Sequence, residues 1–243
     1  MTEVLELGPR ARGRSGFRKA PVEARRLCAA DGSRLSPLLG VARAPTGEAA
    51  ESIRSIRASL MAAGFARGGS FALVAARVGQ GASVLVGNLA LAFAQLEMRT
   101  LLVDANLRRP GLANLFGLPV RREGLADSLT RGEEDAPIIR DVAPHLALAP
   151  AGAAPANPQN LVASKMFARL ATKWAKDFDL VIYDAPAALE SADAALIAAR
   201  AGSAVIAAHL DDARFDDVRR VSSGLRAHGC AIAGVVGARW AQA

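Results

Sequence analysis

From Ser70 onward, short apolar runs alternate with longer stretches of mixed polarity. The run at 70–76 predicts a buried strand, followed by a turn and a helix over about 83–97. Arg99–Asp104 (Arg-Thr-Leu-Leu-Val-Asp) predicts the next strand, and Pro110, Gly117 and Pro119 break up the short helical pieces that follow. Leu146–Ala149 is a short strand candidate. A Pro/Asn loop at Ala151–Asn157 then leads into a helix through about Lys176, whose basic face bears Lys165, Arg169, Lys173 and Lys176. Strands at Asp179–Asp184, 203–208 and 230–237 alternate with helices at 190–200 and 214–227. Such alternation predicts an α/β fold: a doubly wound, mainly parallel sheet with helices on both faces. Upstream, Pro45-Thr46-Gly47-Glu48 reads as a helix start with Thr46 as N-cap, the helix running to about Gly64. Ile53, Ile56 and Leu60 form its core-facing stripe, and Glu51, Arg54 and Arg57 lie on the other side. Residues 1–44 show no sustained periodicity. The expected organisation is therefore a flexible arm over 1–44 and one α/β domain over 45–243.

Composition agrees with a helix-covered parallel sheet: 51% of the 243 residues are apolar, yet only 5% are aromatic. No run of 18 apolar residues occurs, so no membrane-spanning helix is expected. No apolar core follows the N-terminal charges, which argues against a secretory signal and for the cytoplasm. Cys28 and Cys230 are too few and too far apart for a disulfide framework or a zinc site. Charge changes the picture only locally. Residues 1–44 hold nine Lys or Arg against four acids, which is five of the seven net positive charges. Such an arm is either a solvated linker or a contact for an anionic membrane surface or nucleic acid.

In a sheet of this kind ligands bind beyond the carboxyl ends of the strands. Three features converge there: the turn at 77–83, Asp104 and Asp184. The turn holds Gly79, Gln80, Gly81, Ala82 and Ser83, and opens a helix. In a phosphate-binding loop such a turn directs successive backbone N–H groups into one concavity at the positive end of a helix dipole. The full pattern, G-x-x-x-x-G-K-[ST], adds a lysine for the β/γ-phosphates and a hydroxyl for magnesium. Here the hydroxyl is Ser83, the lysine position is Ala82, and the first glycine position is Ala76. Ser83, Asp104 and Asp184 form the candidate magnesium set, since a hard cation takes oxygen ligands. Either aspartate alone would read as a cap for the following turn; two beside a glycine turn favour a nucleotide pocket. His145, His209 and His228 lack metal-ligand spacing, and Asp211, Asp212, Asp216 and Asp217 read as caps and solvation for the helix at 214–227.

At this point the sequence resembles the bacterial tyrosine kinases of capsule and exopolysaccharide systems, P-loop proteins near the partition-ATPase branch. The resemblance covers about residues 48–240. It rests on Glu51-Ser52-Ile53-Arg54-Ser55-Ile56-Arg57, on Gly79–Ser83 followed by Asn88-Leu89-Ala90, and on Leu101 through Pro110 (Leu-Leu-Val-Asp-Ala-Asn-Leu-Arg-Arg-Pro). Leu115-Phe116-Gly117-Leu118-Pro119, Asn157-Pro158 and Val181 through Pro186 add to it. The resemblance implies a P-loop fold, MgATP, a membrane chain-length regulator as partner, and self-association through Glu51, Arg54 and Arg57 on the helix at 48–60. It also implies phosphorylation of a tyrosine-rich tail.

Several positions depart from that pattern. Ala82 stands for the phosphate-reaching lysine, Asn106 for the second carboxylate of an Asp-x-Asp pair, and Ala238 near an adenine-contacting asparagine. Tyr183 is the only tyrosine and falls inside a predicted strand. Losing one preorganised stabiliser of transition-state charge commonly costs about 10²–10³ in rate. The expectation is a catalytically impaired, kinase-like cytoplasmic partner of a membrane polysaccharide co-polymerase, peripheral to the inner membrane. Whether ATP and Mg²⁺ bind at all stays open, as does compensation by Arg77 for the missing lysine. The alternatives are an active MgATP-dependent kinase or ATPase with an atypical loop, and a partition-type DNA-binding protein, for which nucleic acid is the less favoured partner.

Overall fold

The computed structural model describes residues 3–5, 35–119 and 123–239. Eight strands form one sheet: β1 (Glu3–Leu5), β2 (Gly69–Ala75), β3 (Thr100–Asp104), β4 (Ile139–Ala143), β5 (Leu146–Ala149), β6 (Leu180–Asp184), β7 (Ser203–His209) and β8 (Ala231–Ala238). Their order is β1-β8-β7-β2-β6-β3-β5-β4. Every neighbouring pair from β8 to β5 is parallel, and only the two edge strands β1 and β4 pair antiparallel. The mainly parallel, doubly wound sheet is therefore as expected.

Side chains in the central strands divide by the period of two that a strand imposes. From β2, Phe71 and Leu73 enter one core and Ala72 and Val74 the other. From β6, Leu180 and Ile182 go one way, and Val181 and Tyr183 the other. The first face is covered by α1 (Gly40–Arg43), α2 (Glu48–Ala62), α3 (Ala82–Ala94) and α4 (Leu112–Leu115). The opposite face carries α5 (Leu125–Arg131), α6 (Pro158–Ala163), α7 (Lys165–Asp177), α8 (Asp193–Ala201) and α9 (Phe215–Ala227). Because both faces are covered, the central strands read as continuous apolar runs, with every residue of β3, β6 and β7 buried.

The structure differs from the sequence expectation in several places. Residues 35–44 are packed into the domain: Leu39 and Val41 are fully buried, so the boundary expected at 44 falls inside a folded unit. Residues 6–34 of the expected arm lie outside the described residues. The cap of α2 is Gly47, with no side-chain cap, so Thr46 does not fill that role. The single helix expected through Lys176 is two helices. Ser164 ends α6 in an extended conformation, and its hydroxyl accepts the Phe167 N–H at 3.1 Å to start α7. Antiparallel β4 was not expected from the sequence, since Ile-Arg-Asp-Val-Ala carries two charges and its pattern is that of a half-exposed edge.

Candidate nucleotide site

The turn between β2 and α3 is built as a phosphate loop requires. Gly79 and Gly81 hold φ of +85° and +70°, a region that favours glycine, and Gly81 is the N-cap of α3. Three acidic side chains from distant parts of the chain fix the loop from behind. Asp217, at the start of α9, takes Arg77 in a two-pronged ion pair, Nε to Oδ2 at 2.7 Å and Nη2 to Oδ1 at 3.1 Å. Glu190 accepts the Val78 N–H at 2.9 Å. Gln80 donates to Asp212 at 3.3 Å while its carbonyl accepts the Arg77 N–H at 3.1 Å. The guanidinium of Arg77 is thus committed to α9, which overturns the idea that it stands in for the absent lysine.

The two strand-terminal aspartates stand side by side, since Asp104 and Asp184 are register partners between β3 and β6. Both are buried, at 1% and 0% exposure. Ser83 donates its hydroxyl to Asp184 Oδ2 at 2.7 Å, joining the first turn of α3 to the carboxyl pair. Asp104 Oδ2 accepts the N–H groups of Gly111 and Leu112 at 3.2 and 3.1 Å, which fixes the loop after β3. The other oxygen of each, Oδ1, is buried without a hydrogen-bond partner. Burial pushes the Asp104 carboxyl up to about 7, opposed by the backbone N–H groups that it accepts. Burial, and then the neighbouring Asp104 charge, hold Asp184 well above the usual carboxylate range, with the Ser83 hydroxyl opposing. Two orphaned carboxylate oxygens beside a serine hydroxyl suit a hard divalent cation, whose charge would offset the desolvation that now raises both groups.

Above this floor lies a cleft of about 440 Å³, lined by residues 77–84 of the loop and α3, by Asn106, Arg109, Gly111 and Asn114, and by Ser36. The structure thus brings together Gly79, Gln80, Gly81, Ala82, Ser83 and Asn106 at one cleft, with Asp104 and Asp184 beneath it. Ala82 opens α3 with a methyl group where a lysine would be a cation. Asn106 accepts the Arg109 N–H at 3.3 Å, closing a turn. Ala238 is the last residue of β8, on the far side of β7 from the loop strand.

Elsewhere, Tyr183 is 1% exposed, enclosed by Phe167 and Trp174 at ring separations of 6.2 and 6.3 Å, and burial raises its phenol. Glu51 and Arg54 form an ion pair on α2, and Arg54 also reaches the Pro45 carbonyl. Arg57 points the other way, donating at 2.6 Å to the Ala92 carbonyl in the last turn of α3. The basic face of α7 is partly neutralised, because Lys173 pairs with Asp135 and Arg169 lies 3.6 Å from Glu134. One residue whose role the sequence did not reveal is Asn88. Buried on α3, it accepts the Val41 N–H at 3.0 Å and donates to the Leu38 and Val84 carbonyls, each at 2.9 Å. Its sequence signals are a polar residue within an apolar helix and its place in the Asn88-Leu89-Ala90 segment of the resemblance, neither of which names its partners.

Comparison with known proteins agrees with this geometry. The family described as "Cellulose biosynthesis protein BcsQ" matches residues 69–216. The putative tyrosine-protein kinase EpsB of Ralstonia nicotianae is 31% identical over 196 residues, 80% of this chain but only 26% of EpsB, so the chain spans about a quarter of that relative. The tyrosine-protein kinase YwqD of Bacillus subtilis is 30% identical over 176 residues, 72% of this chain and 74% of YwqD. Among solved structures, the chimerical protein CapA2B2 superposes with a TM-score of 0.77 at 30% identity, covering 84% of this chain and 91% of that one. The septum site-determining protein MinD of Pyrococcus horikoshii shares the fold, with a TM-score of 0.58 at 21% identity over 68% of each chain. The glycine turn at the head of α3, the paired aspartates at the ends of β3 and β6, and these likenesses place the chain in the P-loop family of bacterial tyrosine-protein kinase domains.

Proposed function

We propose that the chain is a cytoplasmic, kinase-like partner of a membrane polysaccharide co-polymerase, acting on exopolysaccharide or capsule chain length or export, with weakened phosphoryl transfer. Its family membership supports the polysaccharide setting, as does a relative from Klebsiella pneumoniae described as a putative tyrosine-protein kinase in a cps region. Among the described residues no helix is long and apolar enough to cross a membrane. The observation that carries the weakened-transfer reading is Ala82 at the head of α3, facing the cleft with no charge. Asn106 removes a second group, a carboxylate that would serve the cation or the acceptor hydroxyl. Tyr183, the only tyrosine in these 243 residues, is sealed in the core and is no acceptor.

The residues that would hold a magnesium nucleotide are the loop Gly79–Ser83 for the phosphates and Ser83, Asp104 and Asp184 for the cation. When bound, the cation would screen phosphate charge. The chain's own contribution is binding and orientation: loop amides for phosphate oxygens, and the Ser83 hydroxyl, free to turn from Asp184 toward the metal. Two measurements test the proposal. The membrane regulator's cytoplasmic tail should retain the purified chain on a column, and failure to retain it removes the partner. ATP turnover should be at least 10²-fold below an ordinary kinase rate.

A second reading, an active MgATP-dependent enzyme, is favoured by the retained Ser83–Asp184 pair and the two orphaned oxygens. Phosphate release at an ordinary rate, abolished by Asp184→Asn, would select it.

A further inference from the structure

The cleft has lost its loop lysine, yet it is not without positive charge. Among the described residues two charged side chains line it, Arg77 and Arg109, and no carboxylate does, because Asp104 and Asp184 are buried. The two arginines are in different states. Arg77 is committed to Asp217 through two hydrogen bonds. The adjacent Arg108 is likewise committed, to Asp193 at 2.8 and 3.3 Å, and turns away toward α8. Arg109 is exposed, and its guanidinium has no ion-pair or hydrogen-bond partner among the described residues. Its backbone is nevertheless held, by the Asn106 carbonyl on its N–H at 3.3 Å, in a loop that Asp104 anchors through Gly111 and Leu112. A free cation on a fixed loop at the rim of an anion-shaped cleft is poised for phosphate.

Resting on the nucleotide reading above, we infer that Arg109 is the phosphate-binding cation of this cleft, taking by a different route the charge that Ala82 does not supply. It reaches the cleft from the loop after β3, whereas Ala82 lines the same cleft from the head of α3. Adenosine, with no phosphate, gains nothing from it.

The test is a calorimetric titration of the full chain with MgATP, comparing wild type, Arg109→Ala, Arg109→Lys and the double variant Arg109→Ala/Ala82→Lys. Unliganded Arg109→Ala should melt with the wild type, since the side chain is exposed and unpaired. Its MgATP affinity should fall about tenfold or more, the usual scale for loss of a charge-assisted hydrogen bond. Arg109→Lys should keep part of the affinity, and the lysine restored at position 82 should recover binding in the double variant. If Arg109→Ala binds MgATP as tightly as wild type, the assignment falls while the nucleotide reading stands. If wild type binds no magnesium nucleotide, both fall together.

Discussion

Asn88 and Asp104 are both buried polar residues among apolar neighbours, yet they are stabilised in opposite ways. The Asn88 amide is fully used: its carbonyl and one N–H bond tie residues 38–41 to α3, and a second N–H bond goes to the Val84 carbonyl within α3. Replacing it by leucine strands the Val41 N–H and the Leu38 carbonyl. Urea unfolding should show a loss of about 2 kcal/mol or more, from unpaired buried polar groups. Asp104 has an unused oxygen and a carboxyl whose folded-state value, about 7, lies above the ordinary 3.8. Between those pH values the folded chain binds more protons than the unfolded one, so this residue's contribution to stability falls as pH rises. In metal-free buffer, the melting temperature of wild type relative to Asp104→Asn should therefore decline from about pH 4 to about pH 7. A flat difference would mean that the carboxyl is ionised throughout. These two residues also mark how much of the site was legible in the sequence. Asp104 was evident because it ends an apolar strand, as Asp184 does. Asn88 was not, because its partners lie 47 and 50 residues away along the chain and no local pattern encodes them.

Among the elements, α2 shows how far spacing can take an inference. Its apolar stripe is where periodicity puts it, with Ile56 and Leu60 buried. The three charged residues opposite do not act as one face. Glu51 and Arg54 pair with each other, while Arg57 crosses to α3 and leaves its Nε buried without a partner. Burial accordingly lowers the Arg57 guanidinium. Removing it with Arg57→Ala should cost about 1 kcal/mol in denaturant, small because the charge is partly solvated. Glu51→Ala should cost less than about 0.5 kcal/mol, as exposed helix pairs do. Arg57 is therefore a poor probe of self-association, and Glu51→Arg is the better one. If α2 joins copies of the chain, that reversal should shift sedimentation toward monomer with no change in melting temperature. The break between α6 and α7 was missed for a related reason: Ser164 gives the same polar signal whether it lies on a helix surface or caps a new helix. Edge strand β4 has too weak an alternation to announce itself, and its partner β5 secures it instead.

For the molecule as a whole, the two cores meet only through the sheet, so anything that covers one face stabilises every strand. Residues 35–44 belong to that cover: Leu39 lies against α3, where a Cβ at Gly87 would come within 3.0 Å of its side chain. A chain starting at residue 45 should consequently unfold at lower denaturant than one starting at residue 35, because it exposes α3 and strands Asn88. Equal midpoints for the two truncations would place the boundary back at 44. The overall architecture was readable because a doubly covered parallel sheet writes itself as apolar runs at regular intervals. The domain's start was not, because Leu38-Leu39-Gly40-Val41 is too short to carry a period.

The three carboxylates behind the turn, Glu190, Asp212 and Asp217, have a consequence for how the cleft meets its guest. A mobile glycine loop must surrender its disorder each time it closes on an anion, and that entropy is subtracted from affinity. Here the surrender has already happened during folding, at the hands of groups that never touch the guest. Exchange of the Val78 amide, whose N–H Glu190 accepts, should consequently be slowed already in the empty protein and change little on saturation, as in a mould that has set before anything is poured.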